Sequence, residues 1–419
     1  MRPIARLLAG VALIGLMTAT VAVAVAKPPK PAPAKAAPVQ APAPVPPPPA
    51  AVGQLAADPL NTDATFAYIM DGDTGLPLYS KRGDEEMIPA SMSKLMLFYI
   101  IFERIRDGRL KLDDEFPVSE HAWRVGGAKA GGTAAKSDVS TMFLDLNSKV
   151  SVDNLLRGAI IVSGNDACIA LAEGLAGSEE AMAREMTAKA HELGLTHSAF
   201  ANVTGLDDPG QRMSASDIGH LSYHIIKDFP EQYKIFSQTS FAWNGITQPN
   251  RNPLLTELPG ADGVKTGHLS ASGFGLVGSA VRDGHRRIIV LNGLSSDGDR
   301  RSEAPRVMRS AFTDFTVLNL VDKGAQVAVA DVFLGEQKKV PLVATVGSQI
   351  GMHVSSSKAV KAVVVYKGPL SAPVKQGDIV GDLVITAPGV PEIRIPVAAG
   401  ASVKKLGLFG RAMVGLKGE

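Results

Sequence analysis

Ile88-Pro89-Ala90-Ser91-Met92-Ser93-Lys94 leads directly into an apolar run over residues 95–102, which gives way to the polar stretch 103–109. Proline ahead of an apolar run marks a helix start, and a run apolar at nearly every position describes a helix buried on most sides. A serine three residues before a lysine on that helix places both side chains on one face, within reach of each other. That is a nucleophile beside a base. The same spacing recurs at Ser355 to Lys358 and at Ser402 to Lys405, in β-rich or tail sequence where i and i+3 fall on opposite faces of a strand. Taken singly, such a match is more often an N-capping serine with a solvated lysine, so Ser91 and Lys94 gain meaning only from what surrounds them.

Outward from this helix the pattern mixes strands and helices. Residues 66–70 and 76–80 flank Asp71-Gly72-Asp73-Thr74-Gly75, which predicts a β-hairpin. Residues 150–176 and 178–193 read as helices, the second with Met182, Met186, Ala190 and Leu193 at helical spacing. Residues 264–281 and 287–293 flank the turn Arg282-Asp283-Gly284-His285, predicting two long antiparallel neighbours. The expected fold class over 58–322 is therefore α/β (α+β), an antiparallel sheet with helices. From 326 to 399 the helix signals vanish, and short apolar stretches alternate with Gly, Pro and Ser, which predicts a small all-β sandwich domain over 323–402.

The ends differ in kind. Arg2 and Arg6 precede an uncharged apolar run over 7–26 that finishes in Ala24-Val25-Ala26, a secretory signal pattern over 1–26 that places the rest of the chain outside the cytoplasm. Residues 27–57 read as a Pro/Ala-rich linker, with eleven prolines between 27 and 50; such a segment cannot join a core and is expected to be an extended spacer, or else a tolerated low-complexity tail. In the tail, 403–419, Lys404, Lys405, Arg411 and Lys417 accompany Leu406, Phe409, Met413 and Leu416, as in a basic amphipathic helix on an anionic membrane surface. Gly407, Gly410 and Gly415 oppose this, each weakening a helix by about 1 kcal/mol relative to Ala. A formal charge of +2 over 419 residues argues against a nucleic-acid partner. A single cysteine, Cys168, excludes an internal disulfide and every CxxC site.

Two further short motifs follow Ser91 and Lys94 in chain order: Ser163-Gly164-Asn165 and Lys265-Thr266-Gly267. Each alone is weak, a helix cap or a strand end. Together with Ser-x-x-Lys they form the signature of penicillin-recognising serine acyl-transferases. The chain resembles the D-alanyl-D-alanine carboxypeptidase family, low-molecular-mass penicillin-binding proteins of peptidase family S11, over about residues 58–400. The resemblance includes the opening segment, Leu156-Arg157-Gly158, Ser163 through Cys168, Phe241-Ala242-Trp243-Asn244-Gly245-Ile246 and Asp262-Gly263-Val264-Lys265-Thr266-Gly267-His268. Gly164 at the centre of the second motif, and no counterpart of an additional deacylating Glu, set it apart from class A β-lactamases.

The resemblance implies removal of the terminal D-alanine from peptidoglycan pentapeptide stems, with β-lactams as covalent inhibitors and no cofactor or metal. It also implies a periplasmic location with peripheral inner-membrane contact through the tail. It assigns Ser91 as nucleophile, Lys94 as base, Ser163 and Lys265 as the route of the proton to the leaving amine, and Asn165 as orienter of Lys94 and substrate. By the same resemblance the N–H groups of Ser91 and His268 form the oxyanion hole, beside Gly267, while Thr266 and Arg251 hold the substrate carboxylate, with Arg300 a further candidate. A D,D-endopeptidase or a weak β-lactamase would use the same residues, and a non-catalytic penicillin or peptidoglycan binder is the reading from a different class. His220 and His224 lie four apart, as in zincins, but position 221 is Leu where a metalloprotease base would be Glu. Cys168 reads as a small buried side chain. The Gly-rich stretch 126–132 lacks GKS or GKT, and 133–140 departs from the family pattern, which bears on substrate selectivity.

Overall fold

The computed structural model describes residues 58–126 and 139–411. The expected signal, the linker, nearly all of 126–140 and the end of the tail beyond Arg411 lie outside the described residues. In chain order come β1 (Phe66–Asp71), β2 (Pro77–Lys81), α1 (Lys94–Arg106), β3 (Glu115–Pro117), α2 (Glu120–Val125), β4 (Lys149–Ser151), α3 (Val152–Ile161), α4 (Asn165–Ala176) and α5 (Glu179–Glu192). There follow α6 (Ala215–Asp228), α7 (Pro230–Tyr233), β5 (Ser240–Trp243), β6 (Ile246–Pro249), α8 (Leu254–Glu257), β7 (Ala261–Leu269), β8 (Gly273–Arg282), β9 (His285–Leu294) and α9 (Asp297–Thr313).

The main sheet has the order β2-β1-β9-β8-β7 and is antiparallel throughout. Alternation along its strands fills two cores. Tyr68, Met70, Ile288 and Val290 face α1, α3, α4, α5 and α6, whereas Ala67, Ile69, Ile289 and Leu291 face α9. The β1–β2 turn is closed by Asp71, whose Oδ1 accepts from the N–H groups of Asp73 (3.2 Å) and Thr74 (2.8 Å). The long helix expected over 150–176 is two helices, broken where Ser163 takes φ +64°, a left-handed conformation costly outside glycine. The stretch 264–281 likewise divides into β7 and β8, joined by a tight turn over 270–272 that ends in Gly273 at φ +69°.

The all-β unit contains β10 (Phe315–Val321), β11 (Gln326–Phe333), β12 (Lys339–Ala344), β13 (Ser348–His353), β14 (Lys361–Tyr366), β15 (Leu370–Ser371), β16 (Ile379–Ala387) and β17 (Val390–Ala399). Six of them form a sheet of order β14-β16-β17-β12-β11-β15, and β10 pairs with β13 in a separate ribbon. Their core, with Val340, Leu342, Leu383, Ile395 and Val397, is distinct from the two above. β10 joins the units: Phe315 lies in the α9 core and Val321 in the β core, so the crossing is made by a continuous strand that ends beside the expected boundary at 322/323. The ribbon packs against β2, where a Cβ on Gly351 would come within 2.0 Å of the Pro77 carbonyl oxygen. At the far end the β unit keeps the chain past the expected boundary at 402: Val403 is buried and bridges to Val374, and Lys405 bridges to Gly335. Residues 408–411 are helical, with Leu408 and Phe409 exposed. Among the described residues no helix is long and apolar enough to cross a membrane.

Candidate active site

The head of α1 is a 3₁₀ turn, Ala90–Ser93, entered through Ala90 at φ +49°. Ser91 lies in this turn and is not the residue capping α1, a position held by Ser93, whose hydroxyl donates back to the Ala90 carbonyl and makes no capping bond. Lys94, at the start of the helix, is fully buried, and its Nζ lies 2.6 Å from Ser91 Oγ. The two decoy serines are placed otherwise: Ser355 to Lys358 falls in an exposed 3₁₀ turn, and Ser402 Oγ accepts from the N–H of Gln376.

The break between α3 and α4 carries the second motif. Ser163 is buried, and its Oγ receives a 2.8 Å hydrogen bond from Lys265 Nζ on β7. Lys265 Nζ also reaches the Thr266 carbonyl (3.2 Å). Gly267 lets β7 approach the nucleophile's turn; a Cβ there would meet the Pro89 carbonyl at 3.0 Å and Ala90 Cβ at 3.2 Å. Three segments distant in sequence thus converge on one cleft of about 280 Å³, lined by Ser91, Ser163, Arg251, Thr266, Gly267 and His268, with Ser140, Phe274 and Arg300 among its other walls.

Burial dominates the electrostatics. Taking the Lys94 ammonium out of water lowers its pKa to about 8, and Arg251 pushes in the same direction. Lys265, also fully buried, is held well below the ordinary lysine value by burial, then by the neighbouring charges of Lys94 and Arg251. An amine so depressed can be neutral, which a base requires. Burial pushes the Cys168 thiol the other way, up to about 12, which removes it as a nucleophile.

One placement differs from expectation. Asn165 was expected to orient Lys94; the bonds of Lys94 run instead to Ser91 and to the Thr204 carbonyl. Asn165 opens α4, its N–H donates to the Ser140 carbonyl (2.7 Å), and its Oδ1 is buried with no partner among the described residues. Arg251 and Arg300 both line the cleft but are held differently. Arg251 is exposed and donates through Nη1 to Ser140 Oγ at 2.6 Å. Arg300 is buried, donates to Asp297 and to the carbonyls of Gly267 (3.3 Å) and Gly275 (3.4 Å), and lies over the Phe274 ring. His268 stacks on that same ring, with centroids 4.0 Å apart. Asp166, inside the Ser163-to-Cys168 stretch but given no role by the sequence, is buried and accepts from Thr141 Oγ1 (2.7 Å) and the N–H groups of Met142 (3.0 Å) and Leu144 (3.1 Å), shaping the loop that carries Ser140. His220 Nδ1 lies 2.8 Å from the Ser216 carbonyl and His224 faces Asp228, and among the described residues no cluster of three His, Cys, Asp or Glu could hold a metal ion.

The chain matches two family models, one described as D-alanyl-D-alanine carboxypeptidase over residues 53–295 and one as penicillin-binding protein 5, C-terminal domain, over residues 315–405. It is 35% identical to the D-alanyl-D-alanine carboxypeptidase DacC of Escherichia coli K12, covering 84% of this chain and 87% of that one. It is 33% identical to DacF of Bacillus subtilis, with 83% and 87% covered. Among solved structures, the carboxypeptidase DacD from Francisella tularensis superposes with TM-score 0.72 at 29% identity, over 85% of this chain and 97% of that one. Penicillin-binding protein 5 from Haemophilus influenzae gives 0.64 at 33% identity, over 83% and 100%. The two matches leave α9 between them, the second starting with β10, and the chain belongs to the S11 family of D-alanyl-D-alanine carboxypeptidases, serine peptidases with a sheet-rich C-terminal domain.

Proposed function

We propose that this chain removes the terminal D-alanine from peptidoglycan pentapeptide stems through an acyl-enzyme on Ser91, and that β-lactams acylate the same serine. The observation that carries this reading is the 2.6 Å contact between Ser91 Oγ and a fully buried lysine whose charge is disfavoured. Neutral Lys94 takes the Ser91 hydroxyl proton as Oγ attacks the carbonyl of the D-Ala-D-Ala bond. The N–H groups of Ser91 and His268 receive the developing oxyanion. Collapse breaks the C–N bond, the leaving amine gains its proton through Ser163 and Lys265, and water then hydrolyses the ester. Arg251 and Thr266 hold the carboxylate of the departing residue. The guanidinium of Arg251, which lines the cleft and donates to Ser140 Oγ, suits that task; that of Arg300, held by Asp297 and two backbone carbonyls, suits bracing the strand carrying Gly267. Asn165, with an unpartnered Oδ1, is suited to accept from the substrate amide. The exported, periplasmic setting follows from the signal pattern, and peripheral membrane contact is supported by Lys404, Lys405 and the exposed Leu408 and Phe409.

The test is incubation with a pentapeptide stem and with cross-linked muropeptides, followed by mass analysis of the products. D-alanine released from the monomeric stem, and lost in Ser91→Ala together with labelling by fluorescent penicillin, is the expected result. Cleavage of cross-links alone would assign an endopeptidase instead, and labelling retained in Ser91→Ala would move the nucleophile elsewhere.

A further inference from the structure

The hydrogen bonds of Lys94 lead away from the cleft toward a carboxylate that no catalytic motif contains. Lys94 Nζ donates to the carbonyl of Thr204. That carbonyl belongs to a turn tied by Asn202, whose Oδ1 accepts from the N–H groups of Thr204 (3.1 Å) and Gly205 (2.8 Å) and from the Thr204 hydroxyl (3.0 Å). Gly205 sits at φ +79°, and a Cβ there would lie 2.1 Å from the Ala90 carbonyl oxygen, so the turn rests on the residue before the nucleophile. Between Asn202 and Thr204, the N–H of Val203 donates to Glu179 Oε1 at 3.2 Å. Glu179 opens α5, is 9% exposed, and has its other oxygen 2.8 Å from His121 Nε2 on α2.

A carbonyl accepts hydrogen bonds and never donates, so one N–H of Lys94 is committed to Thr204 in either protonation state. In the neutral amine this leaves the lone pair free to face the Ser91 hydroxyl. The position of the Thr204 carbonyl therefore sets the aim of the base. We propose that Glu179 is a positioning residue for Lys94, fixing the Thr204 carbonyl through the Val203 N–H and adding a negative charge to the surroundings of the buried amine. This rests on Lys94 acting as the base. The charged and titratable groups acting on Lys94 are Cys168 and Asp166 on α4, Glu179 on α5, Arg251 after β6 and Lys265 on β7. Arg251 and Lys265 disfavour the ammonium. Asp166 and Glu179 favour it, and Asp166 is already held by the 141–144 loop.

The two contributions separate in variants of the full-length protein, read as the second-order rate of acylation by fluorescent penicillin across pH. Glu179→Ala loses both the acceptor and the charge: acylation slows about 10- to 100-fold, the cost of misplacing a catalytic group, and the acid limb of the profile moves to lower pH because the ammonium loses a stabilising anion. Glu179→Gln keeps an oxygen for the Val203 N–H and loses the charge, so it recovers most of the rate while its acid limb stays displaced. Normal acylation with an unmoved limb in Glu179→Ala would overturn the proposal, as would a Glu179→Gln enzyme as slow as Glu179→Ala with its limb unmoved. Should Glu179→Ala lack a cooperative melt, the limb of Glu179→Gln decides alone: displaced supports, unmoved refutes. Failure of the base assignment itself would show separately, as normal acylation in Lys94→Ala.

Discussion

The two folded regions treat polarity in opposite ways. The helical and sheet region buries Lys94, Lys265, Asp166, Glu179 and Arg300 around one cleft, whereas every buried side chain of the β region, among the described residues, is apolar. Buried charge is unfavourable unless paired, and Lys94 and Lys265 are buried amines held close together with, among the described residues, no carboxylate in hydrogen-bonding contact, which disfavours the charged form of each. The first region therefore carries a destabilising arrangement that its chemistry requires, and the second has the composition of a part selected for packing. Stability and activity should respond oppositely to substitution at the cleft and independently in the β region.

The sharpest way to break this contrast is Lys94. Lys94→Ala should slow acylation by ~10²–10⁴-fold, the usual range for a lost general base, and the wild-type rate should climb as pH rises toward about 8, where the amine becomes neutral. Lys94→Met, of similar length and uncharged, should raise stability. The folded-state pKa lies below the unfolded value, so the unfolded chain binds more protons between about 8 and 10.5 and stability rises with pH across that window. The gain from Lys94→Met is accordingly full below about pH 8, up to about 3 kcal/mol from the size of the displacement, and vanishes above about pH 10.5. Thermal melts at pH 7 and pH 10.5 would check it; a destabilised Lys94→Met at pH 7 would show that the charge is better compensated than its contacts suggest.

Arg251→Ala comes next. Losing a charged hydrogen bond to the substrate carboxylate should lower kcat/KM about tenfold to a hundredfold, with a smaller loss on a substrate whose carboxylate is amidated. An equal loss on both substrates would return Arg251 to a structural role. The smallest effect on chemistry belongs to Leu342→Ala in the β core. It should cost about 2–5 kcal/mol by leaving a cavity, visible as a lowered melting transition, while acylation at 25 °C stays at the wild-type rate. Impaired acylation there would mean that the two regions are energetically coupled.

The parts legible in the sequence are those fixed by local geometry. The Ser91 and Lys94 spacing stands out from its two decoys only because it heads a buried apolar run, and it becomes decisive once Ser163-Gly164-Asn165 and Lys265-Thr266-Gly267 are joined to it by motif. Thr204 could not be singled out, because its contribution is a backbone carbonyl that any residue would carry; the one usable hint was Asn202 ahead of Gly205, a turn pattern with nothing catalytic about it. Glu179 reads as an ordinary first-turn acid on a capped helix, which it also is. The break of the long helix at Ser163 is passed over although Ser163-Gly164 is turn-forming, because apolar sequence continues on both sides of it, and the division of 264–281 is hidden because its turn is short and followed by more strand-forming sequence. The continuous strand at 315–321 crosses between two cores, so no Pro- or Gly-rich linker marked the passage.

The ribbon of β10 and β13 lies against β2, the outermost strand of the five-stranded sheet on the side away from Lys265. A bare outer strand offers free N–H and carbonyl groups as a template for another chain. A chain ending after α9 would keep all three motifs yet lose this cover, and should self-associate at concentrations where the intact chain stays dispersed. Such self-association would make the β region a guard against unwanted sheet growth, a service to the enzyme that needs no partner and no ligand.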